Sequence, residues 1–117
     1  MAHMLLIMEP VGQRGTRTEA EGREAYDRMV RWGDSLRERG LLLASESLKS
    51  LDAASRVAVR GGKPQVIDGP FAEAKEMVGG FFLVDCKTRG EAVALAAECP
   101  AAQWATVEVR PLAPCYE

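Results

Sequence analysis

Two short apolar runs, Met4-Leu5-Leu6-Ile7-Met8 and Phe81-Phe82-Leu83-Val84, stand one in each half of a 117-residue chain. Neither is long enough for a helix and neither alternates, so each reads as a strand with apolar side chains on both faces. Each run precedes a capped helix. Thr18 stands three residues before Glu21, the spacing in which each side chain accepts from the other's backbone N–H. From there Tyr26, Met29, Val30, Gly33 and Leu36 follow the three-and-four spacing of one helical face. Glu24/Arg28 and Asp27/Arg31 form i,i+4 pairs on the other face, and Gly40 supplies a left-handed stop. Thr88 caps a second helix over Arg89 to Glu98 with Ala92, Val93, Leu95 and Ala96 inward, and Pro100 closes it.

Leu41 to Ser45 reads as a second strand, and Arg56 to Arg60 and Gln65 to Ile67 as a hairpin inserted around Gly61-Gly62-Lys63-Pro64. Thr106 to Arg110 alternates as a strand with one wet face does, and Pro111 and Pro114 end it. The order is βαβ, a hairpin, then βαβ, which predicts a ferredoxin-like α+β sandwich with the two apolar runs as its central strands. Right-handed crossovers place both helices on one sheet face. The other face of the central strands then needs a cover, and a homodimer with sheets packed face to face, a dimeric α+β barrel, supplies one.

Residues 1–117 are short enough for a single domain, and 27% charged against 47% hydrophobic is a globular composition. A formal charge of −2 leaves no basic face for nucleic acid. Cys86, Cys99 and Cys115 are odd in number and lack Cys-x-x-Cys spacing, which argues against a disulfide framework or a zinc site and for reduced, cytoplasmic thiols. The N-terminal apolar run is too short for a signal sequence or a membrane span.

The segment Asp68-Gly69-Pro70-Phe71-Ala72-Glu73-Ala74-Lys75-Glu76, followed by Gly79-Gly80, is the one stretch that looks like a site. Asp68 beside a Gly-Pro turn is a candidate general base, against the plainer role of bonding its own turn. Pro70 and Phe71 pin the loop to the core. Glu73, Lys75 and Glu76 are expected on one short helical turn, with Glu73 and Lys75 as candidate ligand contacts and Phe71 bordering the same ligand; a hard cation is the weaker use of these carboxylates. No metal and no cofactor is implied. His3, the single imidazole, precedes the first strand and reads as structural or solvated. Cys86 and Cys99 lack an adjacent base, and Trp32 and Trp104 read as core or interface. Gly61-Gly62-Lys63 is followed by Pro64 and a strand, so it is a hairpin turn rather than a phosphate loop.

With these motifs placed, the chain resembles the YCII-related family, in the branch named for its DGPF motif. The resemblance rests on Met4-Leu5-Leu6-Ile7, Arg39-Gly40, the nine residues from Asp68 to Glu76, Gly79-Gly80-Phe81 and Val107-Glu108-Val109-Arg110-Pro111. It implies a ferredoxin-like fold assembled as a dimeric barrel, with clefts between the sheet and the insert. Some relatives in the wider family are similar to lyases, including a dehydrochlorinase, with a His on the first helix and an Asp as an acid/base pair. The helix from Thr18 to Arg39 has no His, and Met29 falls near the position, so that pair does not carry over. The resemblance implies a small-molecule-binding or lyase- or isomerase-like dimer. Its alternative is a regulatory or accessory protein associated with an extracytoplasmic-function sigma factor.

Overall fold

A computed structural model describes residues 2–117. Eight regular elements follow in the order β1 (Ala2–Pro10), α1 (Glu19–Glu38), β2 (Leu42–Ser47), β3 (Ser55–Arg60), β4 (Lys63–Asp68), β5 (Glu76–Asp85), α2 (Arg89–Glu98) and β6 (Thr106–Pro111), with short 3₁₀ turns between some of them. Four strands form one antiparallel sheet in the order β2-β5-β1-β6, and β3 and β4 form a separate two-stranded sheet. The chain is thus α+β and compatible with a ferredoxin-like arrangement. The two apolar runs occupy its central strands.

Local chemistry fixes the helix ends. Thr18 caps α1 with the reciprocal Glu21 bond formed, Gly40 sits at φ 71° just past the end of the helix, and the Thr88 side chain accepts from Glu91 N–H to start α2. One apolar cluster joins Trp32 and Leu36 of α1 and Ala92, Leu95 and Ala96 of α2 to Leu5, Ile7, Phe82 and Val84 of the sheet, so both helices cover the same face. Their far ends are tied by an Arg39–Glu98 ion pair at 2.8 Å.

The central strands have one helix-covered side and one bare side, as two helices over a single sheet face require: His3, Leu5, Ile7 and Glu9 are buried under the helices, whereas Met4, Leu6 and Met8 are only half-buried on the bare face. Several local expectations are corrected. Val93 is exposed, because α2 turns only its Ala92, Leu95 and Ala96 stripe inward. Tyr26 and Val30 are exposed as well; Trp32 is the side chain α1 drives into the core, edge-on to Phe82 at 4.8 Å between ring centroids. Arg28 does not serve Glu24 but lies over the Trp104 ring at 5.2 Å, while Arg31 meets Glu24 at 3.7 Å. There is no helical turn over Glu73 to Glu76. β5 already begins at Glu76, well before the apolar run at Phe81, because the strand extends to pair with Pro10 and Glu9 of β1.

The bare face has a defined pattern. Cross-strand register aligns Arg110, Met4, Leu83 and Ala44 in one row and Glu108, Leu6, Phe81 and Glu46 in the next, with Met8 opposite Val78 below. An apolar stripe therefore runs down the sheet, with Arg110 and Glu108 along one side and Glu46 on the other. The molecule is a slab of 47 × 42 × 19 Å, two layers thick. No helix among the described residues is long and apolar enough to cross a membrane.

Candidate functional site

A cleft of about 410 Å³ opens between α1 and the sheet, at the end where β1 meets the Gly79-Gly80 stretch of β5. Its apolar wall is made by Ile7, Met29, Phe82 and Trp104, and its polar end by Glu9 and Arg14. That is the size and mixture of a small-molecule site, mostly apolar with a few convergent polar groups.

Glu9 continues the helix-facing alternation of His3, Leu5 and Ile7, and a register fault lies beside it in β5. β1 and β5 pair regularly from Ala2 to Ile7, then shift so that Gly79 is the extra residue between the Ile7–Gly80 and Met8–Val78 pairs. A bulge re-aims the side chains beside it. Glu9, on the helix-facing side of the strand, lies over Gly79, and any side chain at 79 would collide with its carboxylate. Gly80 is needed for a different reason: a Cβ there would stand 2.7 Å from the Glu46 carbonyl oxygen of β2.

The Glu9 side chain is only 8% exposed, and an isolated charge there would carry a large desolvation cost. Arg14 supplies the counter-charge. Its Nε donates to Glu9 Oε1 at 2.5 Å, and its two terminal nitrogens donate to the Leu48 carbonyl at 2.8 Å and the Gly79 carbonyl at 3.4 Å. One guanidinium thus joins the cleft floor, the chain just after β2 and the bulge. The loop that carries Arg14 is held by Gln13, whose side-chain amide donates to the Trp104 carbonyl at 2.6 Å. Arg17 and Arg28 lie over the two-ring system of Trp104 at 5.6 and 5.2 Å, within cation–π range. Behind the wall, Cys99 Sγ is 3.9 Å from Met29 Sδ, and burial pushes the Cys99 thiol up to about 11. Cys86 is likewise pushed up, first by burial and then by Glu91 and Asp85.

The residues singled out from sequence lie elsewhere. Asp68 ends β4 on the exposed hairpin and accepts from Ser55 Oγ at 2.7 Å. Phe71 is buried, with the Arg56 guanidinium 3.7 Å over its ring, and Arg56 also meets Glu73 at 3.5 Å. Lys75 is exposed at the side chain, while its carbonyl accepts from Val11 N–H at 2.9 Å. None of Asp68, Phe71, Glu73 and Lys75 lines the cleft. Gly69 explains the tight packing of this loop: a Cβ there would run into the Leu51 carbonyl, and its N–H donates to Ala54 at 2.7 Å. Among the described residues no three His, Cys, Asp or Glu side chains gather as a metal site requires.

His3 is buried, and its Nδ1 has no hydrogen-bond partner among the described residues. Six residues along β1 separate it from Glu9, about 20 Å at the usual rise of a strand. The single imidazole therefore stands far from the cleft. Met29, by contrast, lines it.

Residues 1–115 match the YCII-related domain. An uncharacterized protein of Rhizobium meliloti (strain 1021) is 36% identical over 102 residues, which cover 82% of this chain and 82% of that protein. The chain belongs to the YCII-related family.

Proposed function

We propose that this chain, within the DGPF-motif branch of its family, is a small-molecule-binding dimer of lyase or isomerase type whose ligand occupies the α1–sheet cleft. The observation that carries this reading is the buried Glu9 carboxylate at the polar end of an apolar cleft, held through one oxygen by Arg14. Proton abstraction next to a carbonyl or a leaving group needs one positioned acceptor and a partner for the developing negative charge. Glu9 Oε2 is the acceptor in this reading, and Arg14 and Arg17, both on the cleft lining, are the groups that meet negative charge on the ligand. Ile7, Met29, Phe82 and Trp104 exclude water from its apolar body.

The dimer part of the proposal rests on the Met4, Leu6, Met8, Phe81 and Leu83 stripe. A twofold contact presents the same patch from both copies, and an apolar centre with charged margins suits it. Asp68, bonded to Ser55, is assigned to holding the mouth of the hairpin, with Phe71, Glu73 and Lys75 organising the loop after it.

A thermal-shift screen of carboxylate- and carbonyl-bearing metabolites on wild type, Glu9→Gln and Asp68→Asn tests the assignment. Shifts lost in Glu9→Gln and kept in Asp68→Asn are the expected result. The reverse pattern moves the site to the DGPF segment. Native mass spectrometry of the same samples reads the assembly, for which a dimer mass is expected.

A further inference from the structure

The β3–β4 hairpin is the part of the molecule that the rest does not account for. Val57 pairs with Val66 and Val59 with Pro64, so these four side chains share one face of the ribbon. The valines are 58–66% exposed. Arg56, Arg60, Lys63 and Ile67 lie on the opposite face. A two-stranded ribbon on its own is marginal in water, and among the described residues nothing covers the valine face of this one. It does not join the main sheet, and the radius of gyration, 16.0 Å, exceeds the roughly 13 Å of a compact chain of this length. The slab is nonetheless only 19 Å thick, so the hairpin adds breadth and not a third layer.

Charge divides along the same line. The hairpin holds three of the fifteen basic residues and one of the seventeen acidic ones, so it is +2 on a remainder that is −4. An arm of one sign on a body of the other is complementary to a second copy of the same chain.

We propose that the β3–β4 hairpin is a dimerisation arm: it reaches past its own sheet and lays the Val57, Val59, Pro64 and Val66 face on the second copy, with Arg60 and Lys63 steered by that copy's acidic body. This rests on the face-to-face dimer proposed above and extends it, because a breadthwise arm on a flat slab overhangs whichever copy faces the sheet. The second copy supplies the cover that the ribbon lacks.

Sedimentation equilibrium over a dilution series tests the arm on four proteins: wild type, Val57→Asp/Val66→Asp, Arg60→Glu/Lys63→Glu, and Leu6→Asp on the bare sheet face. Because Val57 and Val66 are exposed within one chain, their replacement leaves the protomer folded, which circular dichroism at each dilution verifies. The expected result is a dimer dissociation constant raised about a hundredfold by the valine pair, as for loss of a central apolar contact. The Arg60/Lys63 pair raises it less and removes part of its salt dependence. A wild-type dimer that Leu6→Asp dissociates and both arm variants leave unchanged overturns the arm and keeps the sheet-to-sheet dimer. A wild type that stays monomeric throughout overturns both, whatever the ligand screen on Glu9 shows. If the valine pair unfolds the protomer, amide exchange of Val57 to Val66 in wild type decides instead: protection that falls on dilution supports the arm, and protection independent of concentration refutes it.

Discussion

The α1–sheet cleft and the β3–β4 hairpin solve opposite problems with the same kinds of residue. In the cleft a carboxylate and a guanidinium are drawn together beneath apolar walls, and the charges point inward. On the hairpin the apolar side chains stand outward, and the charged residues line the reverse of the ribbon. The cleft is held by long-range packing, since β1, β5, α1 and the Arg14 loop all meet there. The hairpin is held by its two-residue Gly61-Gly62 turn, both glycines at positive φ, and by the Gly69 loop at its base. Concavity and stability thus gather in the body of this chain, and the hairpin is left as surface.

Substitutions can break that contrast, and the largest effect belongs to the shared core. Leu5→Ala removes a fully buried side chain beneath both helices and is expected to cost about 2–5 kcal/mol, read by urea denaturation. A cost under 1 kcal/mol would mean the body is as loosely held as the arm. Arg14→Ala strands the buried Glu9 and breaks the links to Leu48 and Gly79; the expected cost is about 3 kcal/mol, with Glu9→Gln/Arg14→Ala recovering part of it. No recovery in the double variant would show that the guanidinium matters for its backbone bonds and not for the carboxylate.

Next in size is an alkaline effect. The Cys99 thiol sits at about 11 in the folded chain against an ordinary 9.0, so the unfolded chain releases its proton first as pH rises. The stability held below pH 9 is therefore lost between about pH 9 and 11, by roughly 2–3 kcal/mol, and Cys99→Ala flattens that part of the curve. Equal losses in wild type and variant would exclude Cys99 as the cause. Thr18→Ala removes the α1 cap and is expected to cost about 1 kcal/mol, measured by thermal melting. Smallest is Val57→Ala, expected to stay within about 0.5 kcal/mol for the isolated protomer; a larger cost at high dilution would place the hairpin in a cooperative unit with the body.

Much of the fold was legible because its signals are local. The Thr18–Glu21 box, the Thr88 cap, Gly40 and the Gly61-Gly62 turn each declare themselves within a few residues, and the continuous apolar runs pointed to the central strands. The half-burial of Met4, Leu6 and Met8 was also implied by counting helices against sheet faces. The cleft was not legible. Glu9 reads as the polar end of a strand; alternation puts it on the face of Leu5 and Ile7, but that α1 and Arg14 stand over that end of the face is set by packing between distant segments. A signal did exist in Gly79-Gly80, which marks a close approach inside a strand, but it does not name what approaches. The DGPF segment was conspicuous for the opposite reason: tight backbone packing at Gly69 and an anchored Phe71 concentrate unusual residues wherever a loop is forced into one shape.

The two indoles differ in a way an optical measurement can use. Trp32 is sealed edge-on against Phe82, whereas Trp104 is half-buried on the cleft wall beneath Arg17 and Arg28. Emission from the first reports the integrity of the interior, and collisional quenchers reach mainly the second. Occupancy of the cleft should therefore register as shielding of a single fluorophore, without any label being attached.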